Sequence, residues 1–118
     1  MRTLAVCRLI AGALLLTGCS ITEPVVVIGK KGEILRGTAT ASLAGGSFQV
    51  TNGKLTCGGS YDSLDTSLTI SMPVLCSDGR RGIVIATRDK DGISGAGTVR
   101  LDDGEKGTFM FGPAAAGF

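Results

Sequence analysis

From Val25 to Phe111 the chain never sustains an apolar period of 3.6 residues; it alternates short β-rich runs with Gly, Asp and Asn punctuation. That pattern excludes a helical core. It predicts strands over Val25–Ile28, Glu33–Ser42, Ser47–Thr51, Lys54–Tyr61, Ser67–Cys76, Gly82–Arg88, Gly95–Asp102 and Lys106–Phe111. Short strands of this number, joined by tight turns, give an all-β domain, a small antiparallel meander closing as a barrel or a sandwich.

Alternation with period two assigns the faces. Phe48 with Val50, Leu68 with Ile70 and Met72, Val99 with Leu101, and Phe109 with Phe111 are expected to point into the core. Ile83-Val84-Ile85-Ala86 is apolar on both faces, which fits a central strand or one covered on its outer side. Glycines inside the strands, Gly37, Gly58, Gly59, Gly82, Gly95, Gly97 and Gly107, permit the bends that close a barrel of few residues. Asn52-Gly53 and Asp103-Gly104 sit between β-rich arms and read as type I′ hairpin turns. They close a faint repeat, Gly46–Gly53 against Gly97–Gly104, which either relates two hairpins or reflects shared turn chemistry.

The first residues read as an address. Arg2 and Arg8 precede the apolar run Leu9–Leu16, then Thr17 and Gly18 lead to Cys19. A run of about eight residues is too short for a bilayer-spanning helix, which needs roughly 20. Leu16-Thr17-Gly18-Cys19 resembles the lipobox of bacterial lipoproteins. The resemblance implies cleavage between Gly18 and Cys19, diacylglyceryl transfer to the Cys19 thiol and acylation of the new amino end. Ser20 then resembles the residue that passes such proteins to the outer membrane, periplasmic face. Further on, Gly-x-Leu-Thr-Cys-Gly-Gly-Ser-Tyr-Asp at Gly53–Asp62 and Val-Leu-Cys-Ser-Asp-Gly-Arg-Arg-Gly at Val74–Gly82 are similar to small alphaproteobacterial lipoproteins. That likeness implies an exported, lipid-anchored β-domain and brings no activity with it. The expected organisation is a signal peptide over 1–18, a lipidated tether over 19–24, the β-domain over 25–112 and a flexible tail over 113–118.

Loss of Arg2 and Arg8 with the signal peptide leaves basic side chains equal in number to the 10 acidic ones, with no one-signed block. Nucleic acid and electrostatic membrane binding lose support accordingly. Of the 4 cysteines, Cys7 leaves with the signal peptide and Cys19 is committed to lipid, so Cys57 and Cys76 remain. In an exported compartment their default reading is a disulfide; a redox-active pair would want closer spacing.

Chemistry is sparse. The chain holds no His, which removes the commonest proton-transfer group and metal ligand. No Ser/Lys spacing matches a nucleophile with its base. Asp89-Lys90-Asp91-Gly92 opens like a calcium loop but lacks the distant Glu clamp, so a hairpin turn explains it. Asp78, Arg80 and Arg81, beside Cys76, form the candidate recognition patch, since paired arginines offer planar forks to a carboxylate or phosphate. No metal, cofactor or catalytic residue is expected, and the chain is not read as an enzyme. The expectation is a lipid-anchored cell-envelope module with a structural or interaction role, its partners the membrane and an envelope protein. The alternative is a periplasmic small-ligand binder or enzyme inhibitor, and a cavity inside the barrel would favour the former of these two.

Overall fold

The computed structural model describes residues 20–91 and 93–118. The strands are β1 Ser20–Gly29, β2 Ile34–Ser42, β3 Gly45–Thr51, β4 Thr56–Tyr61, β5 Thr69–Cys76, β6 Arg81–Arg88, β7 Gly95–Leu101 and β8 Lys106–Phe111. Each pairs antiparallel with its neighbour in sequence, and β1 pairs with β8, so eight strands form a closed up-and-down barrel. Of the two all-β architectures left open above, the barrel is the one formed. Signal cleavage at Gly18 and lipidation at Cys19 lie outside the described residues.

The interior is built from alternate residues of every strand. Val25, Leu35, Phe48, Val50, Ile70, Met72, Val74, Val84, Val99 and Phe109 make one buried cluster with Cys57 and Cys76. The intervening positions Arg36, Thr38, Ser47, Gln49, Ser71, Thr98, Arg100 and Thr108 are exposed. Hydroxyl pairs brace this polar outer face across strands, Thr22 to Thr40 and Thr69 to Thr87 at 3.2 Å each. Two interior glycines set how sharply the wall curves. A Cβ on Gly37 would collide with the Gln49 carbonyl, and one on Gly97 with that of Ile85, so adjacent strands approach more closely there than any side chain permits.

One seam is thin. β4 and β5 share only the rungs Cys57↔Cys76 and Gly58↔Leu75. The Cys57–Cys76 disulfide joins the strands at the first of these. The Ser77 amide donates to the Thr56 carbonyl at 2.7 Å, and the Thr56 amide to the Ser77 hydroxyl at 3.1 Å, which extends the staple by one residue.

Several expectations need correction. The tether does not exist beyond Cys19: Ser20–Pro24 belong to β1, paired with Thr38–Ser42. Pro24 lies past the last β8 rung, Val25↔Phe111, where one side of β1 asks for no amide. Leu68 is 65% exposed, because β5 starts only at Thr69, two residues later than expected, and leaves it outside the alternation. Ile83 and Ile85 are exposed and uncovered; only Val84 and Ala86 face inward. Residues 113–118, expected as a flexible tail, contain a 3-10 helix over Pro113–Gly117. It packs on β1 and β8, with Ala115 buried and Val26 fully covered outside the interior cluster.

The hairpin chemistry also differs. Gly104 N–H donates to Leu101 C=O at 3.0 Å and Leu101 N–H to Glu105 C=O at 2.9 Å, closing a three-residue loop in place of a type I′ turn. In this loop only the glycine needs positive φ, and Gly104 has 92°. Cys76–Arg80 and Gly29–Glu33 close in the same way, around Gly79 and Gly32.

Candidate functional site

The barrel has two unlike ends. One carries the tight turns β1–β2, β3–β4, β5–β6 and β7–β8; the other carries Ser20, the β2–β3 turn, the 62–68 and 89–94 loops and the end of β8. Phe48 lines space on both sides of the interior, where cavities of about 280 and 90 Å³ open toward the loop end and the turn end. Its ring meets that of Phe109 edge-on and forms the partition.

The larger cavity exists because β2 points only methyl groups inward at Ala39 and Ala41. Phe48, Ile70, Met72, Phe109 and Phe111 supply an apolar floor and walls, while Glu23, Tyr61, Ser63, Asp65, Thr66 and Arg88 ring the mouth. Tyr61 is held by a gap opposite it: a Cβ on Gly46, its partner in register, would strike the Tyr61 ring. Arg88 donates from Nη1 to the Ser67 carbonyl at 3.0 Å, and Asp65 accepts the Ser67 amide at 2.8 Å. Burial pushes the Tyr61 phenol above its usual pKa, with Arg88 opposing. Hydrogen bonds from Ser67 hold the Asp65 carboxyl below the ordinary carboxylate range. The Ser63 hydroxyl donates to the Ser42 carbonyl, tying the 62–68 loop to β2.

The proposed recognition residues lie at the opposite end. Arg80 Nε contacts Asp78 Oδ2 at 2.8 Å, and its Nη1 reaches Asp103 Oδ2 at 3.1 Å and Glu105 Oε1 at 3.7 Å. Arg80 is therefore a clamp between the β5–β6 and β7–β8 turns. The Asp103 and Asp78 hydrogen bonds raise its pKa further, and backbone amides together with Arg80 lower those of Asp78 and Asp103. Arg81, the first residue of β6, is exposed and takes no part in these ion pairs. The two guanidiniums do not form one fork.

Asp91 caps its own loop, accepting the amides of Ile93 and Ser94 at 3.0 Å and the Ser94 hydroxyl at 2.6 Å. Among the described residues no group of three or more His, Cys, Asp or Glu is placed to hold a metal ion. Phe48, Ile70, Met72, Phe109 and Phe111 were expected inward, but the cavity they line and its rim residues Tyr61 and Arg88 were not read from the sequence, although one signal was readable: Gly37, Ala39 and Ala41 fall on a single face of β2, so that stretch cannot fill a barrel interior. Compared with known protein families, curated proteins and solved structures, the chain finds no match.

Proposed function

We propose that this chain is a lipid-anchored protein of the bacterial cell envelope whose barrel binds a small, largely apolar ligand. One observation carries the binding: the cavity of about 280 Å³, aromatic and aliphatic inside and polar at its mouth. Ligand sites are typically about 300–1,000 Å³, apolar with a few convergent polar groups, and this cavity falls just below that range, which fits a small ligand. Tyr61 and Arg88 are the groups placed to orient a polar end of the ligand. The anchor rests on the lipobox resemblance at Leu16–Cys19, and the outer membrane, periplasmic face, on Ser20. The reading is of a binding module rather than an enzyme, and the lack of His in the sequence supports it, since that removes the commonest proton-transfer side chain.

A second reading keeps a structural or interaction role toward an envelope protein. The strip Leu75, Ile83 and Ile85 favours it, three exposed aliphatic side chains on adjoining strands.

Titration of the processed protein with N-phenyl-1-naphthylamine, an apolar fluorophore that brightens out of water, tests the binding. We expect saturable enhancement with one probe per barrel, abolished by Ala39→Phe, which fills the cavity. Enhancement that survives Ala39→Phe, or none in the native chain, rejects the cavity as the site. Cys19→Ala tests the anchor separately: a variant still processed and still pelleting with membranes overturns it.

A further inference from the structure

The absence of a tether fixes more than a boundary. Cys19 is bonded directly to Ser20, the first residue of β1, so their Cα atoms are about 3.8 Å apart. Lipid carried at Cys19 therefore leaves the barrel no room to stand away from its bilayer, and the end that faces the bilayer is the loop end, where the larger cavity opens.

That end is also where the loops expose aliphatic side chains. Leu43 is 79% exposed at the tip of the β2–β3 turn, Leu64 63% and Leu68 65% in the 62–68 loop, and Ile93 38% in the 89–94 loop. Among the described residues, the turns at the other end expose no large hydrophobic side chain, while charged residues stand at both ends, Lys30, Lys31, Lys54, Asp78, Asp102 and Asp103 at the turns and Asp62, Asp65, Asp89, Lys90 and Asp91 among the loops. The aliphatic tips are what distinguish the loop end, and such tips gain by entering a lipid interface.

We propose that the barrel stands on the bilayer by its loop end, with Leu43, Leu64, Leu68 and Ile93 in the lipid interface and the cavity mouth toward the membrane. The surface it fits is zwitterionic. Asp62, Asp65, Asp89 and Asp91 outnumber Arg88 and Lys90 around the same loops, so an anionic headgroup layer would repel this end. Three of these acids, Asp62, Asp65 and Asp91, are occupied in capping their own loops through backbone amides. The orientation rests on the lipid-anchor reading, and it makes the bilayer the source of the ligand, an acyl chain entering tail first.

The chain contains no Trp, so single tryptophans report position without background. The full chain, processed and lipidated, is reconstituted into phosphatidylcholine vesicles containing acyl-brominated lipid, as Leu43→Trp, Leu64→Trp and, at the charged end, Lys54→Trp. All three replace exposed side chains. We expect about a twofold loss of emission and a blue shift for Leu43→Trp and Leu64→Trp, as for groups about 5–10 Å into the interface, and neither for Lys54→Trp. Vesicle flotation separates the two readings. Protein that floats with unquenched Leu43→Trp and Leu64→Trp keeps its anchor and overturns the seating; protein that does not float overturns both.

Discussion

Phe48 and Phe109 meet edge to face across the barrel, ring centroids 5.2 Å apart and planes at 78°. The pair comes from β3 and β8, three strands apart around the ring, and separates the larger cavity from the smaller space beneath. Aromatic pairs of this geometry add about 0.5–1.5 kcal/mol beyond their burial.

Phe48→Ala removes the partition. We expect a loss of about 3–5 kcal/mol in stability, as for other buried Phe truncations, with the two cavities merging into one. Denaturant unfolding measures the first effect. Uptake of a longer apolar probe than the native barrel admits measures the second.

The Cys57–Cys76 disulfide closes a loop of sequence separation 19, a constraint that stabilises by about 3 kcal/mol in the chain-entropy account. The double variant Cys57→Ala/Cys76→Ala should lose about that much, lowering Tm by on the order of 15 °C. Amide exchange should rise first in Thr56–Gly58 and Leu75–Ser77, where backbone rungs are fewest. Uniform exchange across the barrel would show that the bridge does not act on the seam.

The Arg80 clamp gives the stability a pH dependence of definite sign. Backbone amides and Arg80 hold the Asp78 and Asp103 carboxyls below their ordinary value of 3.8. Their contribution is therefore full above that value and is lost as pH falls through the lowered folded values. Tm should drop as pH falls below about 4, and Asp78→Asn/Asp103→Asn should flatten that drop. Asp65 and Asp91, lowered likewise, leave a residual slope. The effect is modest, since all of these carboxylates face solvent.

Tyr61 is the one tyrosine, so its ionisation can be followed at a single ultraviolet band. Its titration should lie above the ordinary phenol value of 10.0. Because the folded state holds the proton more tightly, stability falls as pH rises past the unfolded value. Ligand in the cavity should desolvate the phenol further and move the titration higher still; a midpoint at or below 10.0 contradicts the half-buried placement.

The strands and most inward positions were legible because period-two alternation and glycine turns are local signals. Phe48, Val50, Met72 and Phe109 follow from them directly. What escaped depends on partners distant in sequence. Ser20–Pro24 look like a linker because they carry a Pro and little apolar character, and only the pairing shows that the far half of β2, already expected to reach Ser42, takes them as its partner. Ile83 and Ile85 look buried because apolar character on both faces does not tell whether anything covers the outer one. Arg80 reads as free beside Arg81, yet its partners Asp103 and Glu105 belong to the next hairpin. The cavity is a property of summed interior volume around the ring, so two alanines on β2 count for more than any motif.

The uneven ladders also have a mechanical reading. Any pull arriving through residue 19 enters the barrel at Ser20, on the strand that shares the longest ladder of the ring with β2 and a second one with β8. Those bonds are loaded along the strand and must fail together. The two-rung junction between β4 and β5 lies away from that line of force. A barrel pulled at residue 19 would take the load on its longest ladder and leave its shortest one, already crosslinked by the disulfide, unloaded, so tension from that end should not be what opens it.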